Sequence, residues 1–194
     1  MKKNLYYHDL LNKPTTSQIR NLVHNVGLYN EAKHLEEKLK PIAAAMDSLQ
    51  SNTTTNADHC EQWCAILLHT DNVLEPHKAK ITKRFNQAMR PTHYLANTLH
   101  PIYRGRNLRP EHIETVQEYV LEENPELLPE LCRLQTDNIT LPKALVNDAT
   151  RAKTKPIVWW KCIVSSESVS SLALKLLSLP ASATSMERIF SNFD

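Results

Sequence analysis

Apolar residues recur along the chain at helical intervals, and prolines separate the segments that carry them. From Ser17 the apolar positions follow a helical period until Gly27 interrupts it. A second pattern spaces its apolar residues at alternating intervals of four and three: Leu35, Leu39, Ile42, Met46 and Leu49. This is coiled-coil spacing, but it is short and contains Pro41, which lacks a backbone donor. The pattern therefore predicts a kinked amphipathic helix rather than a zipper.

Helical patterns continue through the middle of the chain. A helix is expected to start near Asp58, after a loop rich in capping residues, and another to span residues 77–90. A short helix lies between prolines in PTHYLANTLHP, and Pro110 opens a longer one, because proline suits a first helical position. PELLPELCRLQ adds a helix that Pro129 is expected to bend. The region up to about residue 150 is predicted to be an all-α array with short loops.

The helix after Pro110 has the clearest division into two faces. Ile113, Val116 and Val120 are expected to face inward. The opposite side carries four carboxylates at intervals of about one helical turn: Glu111, Glu114, Glu118 and Glu122. Like charges at this spacing repel mildly, so the face is predicted to be solvated.

The last part of the chain has a different character. KPIVWWKCIV is the only run with the β-branched and aromatic residues typical of a strand. A final amphipathic helix follows, which Pro180 is expected to end. Its apolar positions are Val169, Leu172, Ala173, Leu176 and Leu177.

Composition narrows the class of protein. Of the 194 residues, 41% are hydrophobic and 23% charged, which is ordinary for a globular chain. Only two glycines are present, which argues against a turn-rich β-protein, a dinucleotide fingerprint and a phosphate loop. A net charge of +2 does not by itself indicate nucleic-acid binding. No apolar run is long enough for a membrane span or a signal peptide, so we expect an intracellular protein with reduced cysteines.

Few residues suggest a chemical site. Cys60 and Cys64 lie one helical turn apart beside Trp63, but a zinc site needs four converging ligands, so core thiols are the preferred interpretation. No serine-hydrolase elbow is present. Basic residues concentrate in one region, either as a phosphate-contacting surface or as an ordinary solvated face: Lys80, Lys83, Arg84, Arg90, Arg104, Arg106 and Arg109. Thr184 and Glu187 fit a capping box, and Glu187 also suits a metal-binding carboxylate.

The tail resembles the C-terminal dimerisation region of hAT-superfamily transposases. A tryptophan-containing segment, PIVWWKCIV, leads to LALKLLSLPASATSMERIFSNF, which is similar to the family's apolar helix and its P-A-S-S-A-x-x-E-R-x-F-S motif. Ala183 stands where a second serine is usual, and Thr184 where alanine is usual. Three further stretches resemble the family's helical insertion: LKPIAAAMDSLQSNTTTNADHCEQW, RFNQAMRPTHYLANTLHPIYRGRNL and ENPELLPELCRLQ.

The resemblance implies a fold and a division of the chain. It implies a mainly α protein: a helical insertion-type array with a C-terminal remnant of a ribonuclease H-like α/β core. The predicted regions are a poorly matched segment 1–34, an insertion-like region 35–150 and a truncated dimerisation region 151–194. In the family three carboxylates hold two metal ions for phosphoryl transfer. Glu187 matches the third, and the first two belong upstream of the insertion, so the chain is not expected to be an enzyme.

The function implied is protein association through the tail, with the chain itself or a related hAT-type protein as partner. The residues expected to carry it are Trp159, Trp160, Leu172, Leu176, Leu177, Ile189 and Phe190. The alternative for these residues is packing against the chain's own helices. A nucleic-acid-binding module using helix 77–90 and Arg104–Arg109 is the second hypothesis, and a decayed reading frame is another. No cofactor, metal, membrane or small-molecule substrate is expected, and nuclear location follows only from the resemblance.

Overall fold

The structure, a computed structural model, describes residues 25–49, 51, 53–73, 75–136, 143–163 and 167–181. The chain divides into two compact units, Met1–Pro41 and Ile42–Asp194. The regular elements in the described ranges are helices, and strand-like pairing there is confined to one antiparallel bridge between Thr55 and Pro180. The prediction of a mainly α protein is confirmed.

Helix α1 spans Val26–Leu49. Asn25 caps its start, because the side-chain Oδ1 accepts a 3.1 Å hydrogen bond from the N–H of Leu28. The predicted interruption at Gly27 is wrong, since the helix runs through this residue; the pattern from Ser17 lies outside the described residues. The helix also continues through Pro41, which leaves the carbonyl of Glu37 without its usual helical donor.

The middle helices begin close to their predicted positions. Helix α2 spans Asn56–Val73, and its first turn is held by Asp58, whose Oδ2 accepts 2.8 Å hydrogen bonds from the N–H and the hydroxyl of Thr55. A 3₁₀ turn at Glu75–His77 leads into α3, Lys78–Ala88. Helix α4 spans Pro91–Leu99 and begins with a proline, as predicted.

Six further helices lie in the described ranges, and the longest of them are the first and the last. Helix α5 spans Pro110–Glu123, with Val116 and Val120 buried and the four predicted carboxylates exposed. A 3₁₀ turn at Pro125–Leu127 precedes α6, Leu128–Gln135, in which Pro129 occupies the first turn. The last four helices are α7, Lys143–Val146, α8, Asp148–Lys153, α9, Pro156–Lys161, and α10, Glu167–Leu177.

The one run predicted to favour a strand forms helix α9 instead. Pro156 occupies its first turn, where the missing N–H costs nothing, and Trp159 and Trp160 are both buried. Strand propensity describes how a side chain fits a half-buried pleated surface, not a preference of the backbone itself. The described residues provide no neighbouring strand for this run, so helix packing decides its conformation.

Helix α4 lies at the centre of the second unit. It contacts α2, α5 and α10, and its last six residues, Tyr94 to Leu99, are all buried. Helix α10 contributes its predicted stripe to the same core, with Leu172 half-buried and the other four positions buried. The largest fully buried side chains are Phe85, Leu95, Leu99, Leu131 and Leu177.

The residues just before α2 and those just after α10 are hydrogen-bonded to each other. The N–H of Ala181 donates a 2.9 Å hydrogen bond to the carbonyl of Thr54, and the N–H of Asn56 donates to the carbonyl of Leu179 at 3.3 Å. These bonds flank the bridge between Thr55 and Pro180. The chain segment 54–181 therefore starts and finishes at the same place.

Candidate functional site

The tail residues predicted for association lie mainly inside the chain's own core. Trp159 and Trp160 are each 2% exposed, with rings in a T-shaped contact at 5.1 Å. Their indole N–H groups donate to the carbonyls of Leu145 and Leu99, at 3.0 and 2.8 Å. Leu176 and Leu177 are also buried and Leu172 is half-buried. Glu187, Ile189 and Phe190 lie outside the described residues.

The predicted basic cluster divides into exposed and partly enclosed residues. Lys80, Lys83 and Arg84 are exposed on α3, while Phe85 on the same helix is 1% exposed and packs in the core. Helix α3 therefore presents a cationic outer face, which we call the α3 basic face. Arg90 is exposed in the turn that follows.

The second part of the basic cluster lies in the loop between α4 and α5. Arg106 is exposed, whereas Arg104 is half-buried and donates from Nη2 to the carbonyl of Leu134 at 3.4 Å. Arg109 lies 3.9 Å from the carboxylate of Glu111. The basic residues that are close in sequence therefore do not all lie on one exposed surface, because the Arg104 side chain is directed towards the carbonyl of Leu134.

Helix α1 exposes large apolar side chains, of which Leu35 and Leu39 belong to the predicted amphipathic pattern and Leu28 does not. Leu28, Leu35 and Leu39 are 45%, 56% and 45% exposed. They follow one another at intervals of seven and four residues, so they form a single stripe on the helix, here called the α1 stripe. Met46, seven residues after Leu39, is also exposed, while Ile42 and Leu49 are half-buried. Three leucines exposed on one side of a helix form an apolar surface that a partner can cover.

The cysteine and histidine residues near the start of α2 pack as core groups. Cys60 and Cys64 are buried free thiols, and the hydrogen bond with Cys64 together with burial raises the pKa of Cys60, which keeps it protonated. His59 accepts a 2.9 Å bond from the indole of Trp63, and burial lowers its pKa. In the described part of the chain, no three His, Cys, Asp or Glu side chains come together in a way that suits a metal ion.

A polar cluster joins α2 to the loop after α4. The hydroxyl of Tyr103 donates a 2.7 Å bond to Asp58 Oδ1, and the Tyr103 ring stacks on His100 at 3.9 Å. Burial lowers the pKa of His100 to about 4, although Asp58 acts in the opposite direction. Burial also raises the pKa of Tyr103 above its usual value. His100 is therefore neutral at physiological pH.

No protein-family model, curated protein or solved structure matches this chain. None of the helices in the described ranges is both long and apolar enough to cross a membrane. The surfaces and the core described above therefore carry the functional argument.

Proposed function

We propose that this chain is a non-catalytic protein-association module derived from an hAT-like transposase. The resemblance of its tail and of its helical middle region supports the origin, including a remnant of the ribonuclease H-like core in region 151–194. The mainly helical fold agrees with the insertion-like part of that proposal. Glu187 is the only residue matched to the family's three acids, so the proposal includes no catalytic step. Metal-dependent DNA cleavage that disappears in Glu187→Ala would contradict it.

The observation that carries the association is the exposed α1 stripe. Leu28, Leu35 and Leu39 are exposed. The described tail residues that the sequence predicts for association are instead buried or half-buried in the core. Ala32 lies between them at the spacing that completes a four-three-four pattern. This spacing ends before Pro41, unlike the longer pattern that was not expected to form a zipper, and it suits the seam of a two-stranded coiled coil, in which each helix covers the apolar residues of the other. The partner proposed is a second copy of this chain.

The charges beside the stripe favour antiparallel pairing of the two copies. In that arrangement Leu28 meets Leu39 of the other copy and Ala32 meets Leu35, which places Glu31 beside Lys38 twice by symmetry. Parallel pairing places Glu31 beside Glu36, which repels. The seam is short, so we expect a weak dimer with a Kd of about 1 µM or higher.

Light scattering of the purified chain over a tenfold concentration range tests this proposal. We expect the mass to rise towards that of a dimer, and Leu35→Asp to keep the chain monomeric without unfolding it, since Leu35 is more than half exposed. Asn30→Asp is the matched control, because Asn30 is exposed on the side of α1 opposite the stripe. A wild-type monomer throughout the range, or equal behaviour of the two variants, contradicts the proposal.

The α3 basic face supports a second candidate function, binding to nucleic acid. Lys80, Lys83 and Arg84 are exposed together on one helix and offer positive charge to phosphates. Fluorescence anisotropy with a short DNA duplex should show affinity that falls with salt, with a slope of about 0.9 per phosphate contact. The double variant Lys80→Glu and Lys83→Glu should lower this slope by about 2, whereas Lys33→Glu on α1 should leave it unchanged. Absence of binding at low salt excludes this candidate.

A further inference from the structure

A cavity opens in the second unit between the loop after α4, the end of α6 and helices α7 to α9. Its volume is about 430 Å³, which lies within the range of about 300–1,000 Å³ usual for small-ligand pockets. Apolar side chains form much of its wall: Leu99, Pro101, Leu134, Val146, Trp159 and Trp160. The N–H of Trp160 is committed to the carbonyl of Leu99, so this residue offers the cavity mainly its ring.

Two guanidinium groups line the same cavity. Arg151 is 5% exposed and forms an ion pair at 3.5 Å with Asp148, whose side chain is 85% exposed. Arg104, the other guanidinium, donates from Nη2 to the carbonyl of Leu134. Among the described residues of the wall Asp148 is the single carboxylate, and together these residues carry a net charge of +1 when His100 is neutral.

The backbone at Arg104 adopts a conformation that side chains normally avoid. Its φ is +53°, and Gly105 follows with a φ of +69°. Residues other than glycine rarely enter this left-handed region, and they do so most often at ligand sites and tight turns. The two successive left-handed residues turn the chain so that Arg104 lines the cavity while Arg106 is exposed.

His100 adds a donor to the wall. Its Nδ1 accepts hydrogen bonds from the N–H groups of Ile102 and Tyr103, at 3.3 and 3.4 Å. The neutral ring therefore carries its proton on Nε2. The cavity thus combines two cations and one neutral donor with apolar and aromatic walls, and this is the pattern that recognises an anionic group on an apolar body.

We infer that this cavity binds a small organic anion, a carboxylate or phosphate joined to an apolar or aromatic group. The anionic oxygens bind Arg104 and Arg151, and the apolar part lies against Trp159, Trp160 and Leu134. The site shares no residue with the α1 stripe or with the α3 basic face, so the inference does not depend on the proposed association.

Isothermal titration calorimetry of the full chain with three probes tests the site: phenyl phosphate, benzoate and benzyl alcohol. We expect one-to-one binding of at least one of the two anions and none of benzyl alcohol. Binding of phenyl phosphate alone identifies a phosphate ligand, and binding of benzoate alone a carboxylate. Because two of the three tryptophans line the cavity, a change in intrinsic fluorescence provides an independent readout. Failure of both anions to bind, or equal binding of the alcohol, overturns the inference.

Two variants locate the binding. Arg104→Met should weaken anion binding at least about tenfold, because a charge-assisted hydrogen bond is lost, while Arg84→Met on the exposed α3 basic face should not. Val146→Trp fills the cavity mouth without removing a charge, and Val146 is 42% exposed, so the core is left intact. It should abolish binding. Unchanged affinity in Val146→Trp overturns the assignment to this cavity even if Arg104→Met does not fold.

Discussion

The indole N–H of Trp160 donates a 2.8 Å hydrogen bond to the backbone carbonyl of Leu99, which lies 61 positions earlier in the chain. Trp160 is 2% exposed and Leu99 is 1% exposed. This bond joins α9, in the region predicted as 151–194, to α4, in the region predicted as 35–150. The two regions therefore share one core, and the stability of each depends on the other.

Replacing this tryptophan tests that dependence. Trp160→Phe leaves the buried carbonyl of Leu99 without its indole donor and opens a small cavity, so we expect a loss of about 2–4 kcal/mol of unfolding free energy. Val158→Ala on the same helix is the control, because Val158 is 48% exposed and should change stability by less than about 0.5 kcal/mol. Urea denaturation measures both, and equal midpoints would show that the contact contributes nothing.

The charges beside the α1 stripe predict the direction of pairing. Lys38→Glu places a second acid beside Glu31 in the antiparallel arrangement, and we expect it to weaken the dimer about two- to fivefold. Adding Glu31→Lys restores the opposite charges, so the double variant should recover the wild-type affinity. Light scattering at several concentrations gives the dissociation constants. If the double variant is weaker than Lys38→Glu alone, the proposed register is wrong.

His100 predicts a dependence of stability on pH. Its pKa is about 4 in the folded chain and about 6.5 when unfolded, so between these values the unfolded state binds the additional proton. Stability should therefore fall as pH is lowered from about 6.5 to about 4, by up to about 3 kcal/mol, and change no further on this account below that range.

The variant His100→Asn isolates this contribution from that of half-buried histidines such as His59, whose pKa burial also lowers. The asparagine Oδ1 takes the place of Nδ1 as acceptor for the N–H groups of Ile102 and Tyr103, but it does not titrate. Urea denaturation at pH 7 and pH 5 should show a smaller loss for the variant than for the wild type. The same loss in both would assign the pH dependence to other groups.

The two glycines of the chain predict opposite tolerance to alanine. At Gly105 the positive φ and the Thr98 hydroxyl, 3.2 Å from the position of a Cβ, should make Gly105→Ala cost about 1–2 kcal/mol. Gly27 lies in the first turn of α1 with no positive φ, and there Gly27→Ala should be neutral or slightly stabilising if Asn25 adjusts. Thermal denaturation compares the two, and equal losses would contradict the conformational explanation.

Local rules predicted the elements whose signals lie within a few residues. Pro110 and the alternation of valines and glutamates define α5, and the stripe from Val169 to Leu177 defines α10. The rules were wrong at KPIVWWKCIV, because Trp159 and Trp160 are buried by helix packing that no local pattern encodes.

The cavity had no local signal of any kind. Its lining comes from residues 98 to 160 of the chain, and Arg151, in a short polar helix, is a residue that composition places at the surface. Arg104 belongs to a basic run in the sequence. The orientation of its side chain depends on a left-handed backbone conformation, which only the following Gly105 indicates in the sequence. The exposure of the α1 stripe was likewise not predictable, because apolar spacing does not reveal whether a partner helix comes from the same chain.

The hydrogen bond between Thr54 and Ala181 holds the two ends of segment 54–181, a large part of the second unit, side by side. When the first and last residues of a segment are hydrogen-bonded neighbours, the segment can be inserted into a surface loop of another protein. The host residues on either side of the insertion then stay close together, so the host's own strands and helices keep their positions. Transplanting residues 54–181 into an exposed loop of an unrelated carrier should therefore leave both folds intact.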